Sequence, residues 1–90
     1  DIIELENGHV LTGPGFTILF KDIPVEYYHI KKSGFNTINC TMKKLDNYTN
    51  YHEKIILSTF RKQMGDNASL NLEYSDKVKY SKSGKRKYFD

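Results

Sequence analysis

Residues 2–6 alternate apolar and acidic side chains, and after Asn7-Gly8 the apolar positions resume at Val10 and Leu11. Asn-Gly between two short β-favouring runs predicts a hairpin with a type I′ turn, whose two central residues both need positive φ. Gly13-Pro14-Gly15 then interrupts the pairing, and residues 16–20 have the aromatic and β-branched content of a central strand. Lys21-Asp22 offers a turn. Residues 25–30 predict a fourth strand entered through Pro24, where a missing N–H costs nothing, and 31–34 read as a second hairpin loop. Residues 35–45 predict a fifth strand with Ile38, Cys40 and Met42 pointing inward.

The period changes at Asp46. Tyr48, Tyr51, Ile55, Ile56 or Leu57, Phe60 and Met64 recur at steps of three and four. That spacing predicts one helix over 47–64, capped by Asp46 or Asn47 and stopped by Gly65. Leu70, Leu72 and Tyr74 alternate with polar residues as a further strand. Residues 77–80 and 86–89 flank a Ser83-Gly84 turn, predicting a two-stranded ribbon. The alternative is a tail, if its small apolar area does not offset the entropy of ordering. Together these elements predict a single α+β domain over 1–90, a mainly antiparallel sheet of about five to seven strands with one α-helix packed on it, ending in a basic ribbon or tail over 77–90.

Ile3-Glu4-Leu5-Glu6-Asn7-Gly8, with Gly13 five residues on, resembles the strand-turn pattern of Sm-like RNA-binding barrels over six or seven positions. The resemblance implies a small barrel that binds RNA. It includes neither the family's preceding helix nor its second motif, and no site residue is carried over from it.

An apolar fraction of 38% and a charged fraction of 28% are those of a globular domain. Apolar runs such as Ile18-Leu19-Phe20 are far too short for the roughly 20 residues of a membrane-spanning helix, so no membrane partner is expected. A single cysteine, Cys40, excludes an intramolecular disulfide and any multi-cysteine metal site. It predicts a buried structural thiol and favours a reducing, cytoplasmic compartment. Three Asn-x-Ser/Thr triplets, at Asn39, Asn47 and Asn67, would be surface acceptors in a secreted chain. Because the sequence starts at Asp1 without a methionine, secretion after loss of a signal peptide stays open as the alternative.

The net charge of +3 conceals an asymmetry. Residues 1–30 hold five acids (Asp1, Glu4, Glu6, Asp22, Glu26) against Lys21 alone, whereas the remainder holds thirteen bases and six acids. Six of the fourteen cations lie in residues 77–90, where the only acid is Asp90. Such a concentration suits a polyanion-binding surface. The expected anchors are Lys77, Lys79, Lys82, Lys85, Arg86 and Lys87 on phosphates, with Tyr80 and Tyr88 available for stacking and Lys31 and Lys32 extending the patch. With no base-reading motif, recognition of shape or backbone is expected, of DNA or RNA alike.

A protein-interaction, inhibitor or adaptor domain of phage or bacterial accessory type is the alternative, with Tyr27, Tyr28, Tyr48 and Tyr51 as contacts. Catalysis has weaker grounds. His9, His29 and His52 fall on separate elements without metal-ligand spacing, so no metal or other cofactor is expected. A small metal-independent ribonuclease would need His52, Glu53, Arg61 and the cations at 85–87 to converge on one phosphate.

Overall fold

The computed structural model describes residues 2–90; Asp1, counted among the acids above, lies outside them. β1 (Ile2–Glu4) and β2 (Val10–Thr12) pair antiparallel with Ile3 opposite Leu11. The hairpin forms as expected, but its turn differs. Only Gly8 takes positive φ, at 88°, while Gly8 N–H donates to Leu5 O and Leu5 N–H donates to His9 O, both at 2.9 Å. This is a three-residue connection with glycine in the left-handed position, in place of type I′.

Residues 16–20, expected as a central strand, belong instead to helix α1 (Gly13–Leu19) and its C-cap Phe20. Thr12 is the N-cap, its Oγ1 accepting from Gly15 N–H at 3.3 Å, and Pro14 occupies the first turn, where its missing N–H would have no partner anyway. Phe16, Leu19 and Phe20 are then buried at steps of three and four. Burying these three side chains on one face outweighs the β-preference of Thr17 and Ile18. Gly-Pro-Gly therefore opens a helix here.

A second sheet contains β3 (Val25–Gly34), β4 (Thr37–Lys44) and β5 (Ser69–Tyr74) in the order β3-β4-β5. The β3–β4 turn is not at 31–34, as the lysines and Ser33-Gly34 suggested, but at Phe35-Asn36; Gly34 already pairs with Thr37. Asn36 takes φ 50°, a conformation Asn tolerates well, and its N–H is held by Glu6 Oε1 at 2.8 Å. Phe35 is left at the tip, 76% exposed. As expected, Ile38, Cys40 and Met42 point inward and are fully buried.

Helix α2 (Asn50–Met64) starts later than expected, with Thr49 and not Asp46 or Asn47 as N-cap. Thr49 N–H donates to His52 Nδ1 at 2.9 Å, a capping arrangement with histidine in the usual place of Glu or Gln. Ile56, Phe60 and Met64 are buried at four-residue steps, while Tyr51, expected on the apolar stripe, is 70% exposed. Gly65 ends the helix at φ 88°.

The helix carries the chain back along the sheet, so β5 pairs with β4 in parallel, Ile38 opposite Leu70 and Cys40 opposite Leu72. The fold is therefore α+β with two helices and two small sheets of two and three strands. It differs from the expected single antiparallel sheet with one helix, and its strands do not close into a barrel. One core joins Ile3, Leu5 and Leu11 of the first hairpin, Phe16 and Leu19 of α1, and the α2 stripe to the inner face of β3 and β4.

Candidate functional site

The basic segment is neither a free tail nor a regular ribbon. Its last residues dock on the outer edge of β3: Ile30 N–H donates to Tyr88 O and Asp90 N–H donates to Ile30 O, each at 2.9 Å, which sets Phe89 parallel to Ile30. Phe89 reaches the core side, with its ring 5.8 Å from that of Phe16. Tyr88 lies on the edge, 5.3 Å from the Tyr27 ring and 5.1 Å from that of Tyr28. Before this anchor the chain makes a short hairpin. Lys87 N–H donates to Lys79 O and Ser81 N–H to Lys85 O, both at 2.8 Å, and Gly84 at φ 85° closes the turn as Gly8 does in the first hairpin.

Tyr27 staples that hairpin to the sheet. Its buried hydroxyl donates to Lys87 O and accepts from Lys79 N–H at 3.3 Å, so one phenol holds both arms. Burial raises its pKa, which keeps the group protonated and able to donate.

Charge fixes the same segment. Asp90 Oδ2 lies 2.8 Å from His29 Nε2 and 3.8 Å from Lys79 Nζ, and Lys87 Nζ meets the other carboxylate oxygen. The Lys87 ammonium is the chief cause that holds the Asp90 carboxyl below its ordinary range. His29 is only 3% exposed. Burial first, then the Lys79 charge, lower its pKa, so the neutral ring donates Nε2–H to Asp90. On the other arm, Arg86 donates to Glu26 O at 3.2 Å and pairs with Glu26 Oε2 at 3.5 Å, the same oxygen that Lys43 Nζ meets at 3.2 Å.

The ten residues expected to form one patch thus separate by role. Lys79, Arg86 and Lys87 are tied to carboxylates of the protein itself, and Tyr88 packs on the edge tyrosines. Lys77, Lys82 and Lys85 are exposed with no acidic partner among the described residues, and Tyr80 is 61% exposed beside them. Lys31 shares the open face of the sheet with Tyr27 and His29 by strand alternation. Lys32 does not join it. Its Nζ lies 2.8 Å from Glu6 Oε2, holding that carboxyl down at about 2 and clamping the two hairpins together.

The open face, opposite the helices, carries Lys31 on β3, Thr37, Asn39, Thr41 and Lys43 on β4, and Ser69, Asn71 and Glu73 on β5. It is a polar surface whose β3 part, Tyr27 and His29, is buried beneath the basic hairpin. Asn39, one of the three triplet asparagines, is engaged there, its Oδ1 accepting from Asn71 Nδ2 at 3.0 Å and Ser33 Oγ at 3.1 Å.

A second polar cluster, not anticipated from the sequence, joins the start of α2 to the end of β5. Tyr48 OH donates to Tyr74 OH at 3.1 Å, Tyr74 OH donates to Glu53 Oε1 at 2.9 Å, and Lys44 Nζ sits 4.5 Å above the Tyr74 ring. Burial raises both phenol pKa values, so the pair consists of neutral donors and supplies no base. A cavity of ≈ 230 Å³ lies beside it, lined by Met42, Lys44, Tyr74, Ser75 and Asp76.

The ribonuclease set does not assemble. His52 Nδ1 is occupied by the α2 cap, Glu53 by Tyr74, and Arg61 stands eight residues down the helix from Glu53, about 12 Å along its axis. His9 packs against Gly65, and among the described residues no three His, Cys, Asp or Glu side chains converge as metal ligands. Of the tyrosines expected as partner contacts, Tyr27 is buried and Tyr28 and Tyr48 are half-buried, leaving Tyr51 free.

Sequence reasoning missed His29, Glu26 and Asp90 as holders of the basic segment. The available signal was Asp90 itself, a single carboxylate closing a run of six cations. No protein-family model, no curated protein and no solved structure matches the chain.

Proposed function

We propose that the protein is a small non-catalytic domain that binds nucleic acid through its backbone, using the C-terminal hairpin and the adjoining open face of the sheet. One observation supports this above the rest: among the described residues Lys82 and Lys85, on a hairpin anchored by Tyr27, Phe89 and Asp90, and Lys77 just before it have no acidic partner. Cations presented on an anchored element lose little further entropy when they meet phosphates. Lys31 extends the positive surface across a face of Thr and Asn side chains suited to phosphate and sugar contacts, and exposed Tyr80 is available to stack on an unpaired base.

The test titrates single- and double-stranded DNA and RNA at two salt concentrations against the protein and a Lys77→Gln, Lys82→Gln, Lys85→Gln variant, which leaves every internal ion pair in place. Binding should weaken steeply with salt, and the variant's slope of log K against log salt should fall by about 2 to 3. No binding at low salt, or equal binding by the variant, overturns the reading.

A protein-interaction role has its own support in Phe35 and Tyr51, two aromatic side chains left exposed on the β3–β4 tip and the start of α2. Salt-insensitive capture of a protein partner, lost in Phe35→Ala, would favour it.

A further inference from the structure

The two outer edges of the three-stranded sheet are treated differently. The β3 edge is covered by Tyr88, Phe89 and Asp90, whereas β5 is terminal and, among the described residues, nothing pairs with its outer side. Ser69 N–H donates inward to Asn36 O and Ser75 N–H inward to Met42 O. Strand alternation therefore turns the N–H and C=O groups of Leu70, Leu72 and Tyr74 outward. Open edges are ordinarily blunted by lysine, proline, a bulge or brevity. β5, Ser-Leu-Asn-Leu-Glu-Tyr, has six residues, no lysine, no proline and no register shift.

We propose that this edge pairs with β5 of a second copy of the chain, antiparallel about a two-fold axis through Leu72, making one continuous six-stranded sheet. This goes beyond nucleic-acid binding and does not depend on it. In that register Leu72 faces Leu72 and Leu70 faces Tyr74 of the second copy, so every outward N–H and C=O of the three residues is satisfied and no other group is required. The faces match as well. The apolar pairs fall on the helix side, beside a groove of ≈ 330 Å³ between α2 and β5 in which Leu57, Phe60, Ala68 and Leu70 are joined by the polar Arg61, Ser69 and Asn71. On the open side Asn71 faces Glu73 of the second copy, so the only charge on the strand meets an amide and never its own kind. A surface that complements itself about a two-fold axis closes at two copies and does not propagate.

The test measures molecular mass by sedimentation equilibrium over a range of concentrations and amide hydrogen exchange at the two ends of that range. The mass should rise toward that of a dimer, and the amides of Leu70, Leu72 and Tyr74 should gain protection with concentration while those of Asn71 and Glu73 stay protected throughout. Asn71→Glu sets two carboxylates opposite each other twice and should weaken the dimer about tenfold. Adding Glu73→Lys to that variant should restore it, because residue 71 then faces a lysine. A monomer at every concentration, a dimer without concentration-dependent protection at those three amides, or failure of the double variant to recover would overturn the proposal. The wild-type exchange data decide the matter even if a variant does not fold.

Discussion

His29 Nε2 and Asp90 Oδ2 lie 2.8 Å apart across 61 residues of sequence, and the contact fastens the C-terminal segment to the edge of β3. Because burial lowers the His29 pKa, the fold favours the neutral ring, and the stability this provides is present above the unfolded-state value near 6.5 and lost as pH falls below it. Asp90 acts lower down. Its depressed pKa gives stability present above the ordinary 3.8 and lost as pH falls through the folded value. Thermal unfolding followed from pH 8 to 4 should therefore show a first decline below about 6.5, absent in His29→Gln.

Tyr27→Phe should cost about 1–3 kcal/mol, since it leaves Lys79 N–H and Lys87 O without the hydroxyl that serves both. Urea unfolding gives the magnitude. Amide exchange should place the loss at Lys79 and Asp90 before it reaches β4.

The ribbon cations should divide by stability as they divide by contact. Lys82→Gln with Lys85→Gln should leave the melting temperature unchanged, whereas Lys87→Gln should lower it slightly, by an amount equivalent to less than about 1 kcal/mol for so exposed an ion pair. Differential scanning calorimetry of the two variants distinguishes them.

Cys40 is fully buried and its thiol is pushed up to about 12 by desolvation. Alkylation at pH 8 should be negligible in the native protein and rapid in denaturant. Labelling that proceeds at the same rate in both conditions would contradict the burial.

Gly65→Ala should destabilise by more than about 1 kcal/mol, because it places a side chain at φ 88° with its Cβ 3.2 Å from His9 Cε1. Urea unfolding measures the loss, and His9→Ala in the same background should recover part of it by removing the clash but not the strain.

What the sequence made legible was local. The first hairpin, the inward set Ile38, Cys40 and Met42, and the stop at Gly65 depend on neighbours within a few residues, and all three form. Helix α1 was hidden because Gly13-Pro14-Gly15 suits a helix start as well as a strand break; the choice is made by burying Phe16, Leu19 and Phe20, which depends on what packs there. The parallel direction of β5 follows from the passage of α2, not from any residue of β5. Of the candidate site, the basic segment and its turn at Ser83-Gly84 were readable. Its division into three internally paired cations and three lysines without an acidic partner among the described residues was not, because Arg86 pairs with Glu26 sixty residues away and the Asp90 that holds Lys79 and Lys87 is itself docked on His29, 61 residues away.

The covering of β3 by Tyr88, Phe89 and Asp90 also bears on solubility. With that segment released, Ile30 would present open backbone groups beside the Phe16 and Tyr28 rings, while β5 already offers an open edge on the far side of the same sheet. A sheet open on both sides can extend without limit, where one open on a single side can only pair. Acid strong enough to protonate Asp90, whose carboxylate holds Lys87 and His29, converts the second kind of molecule into the first. Turbidity on storage should therefore set in only below the ordinary carboxylate range, as the Asp90 contacts are lost.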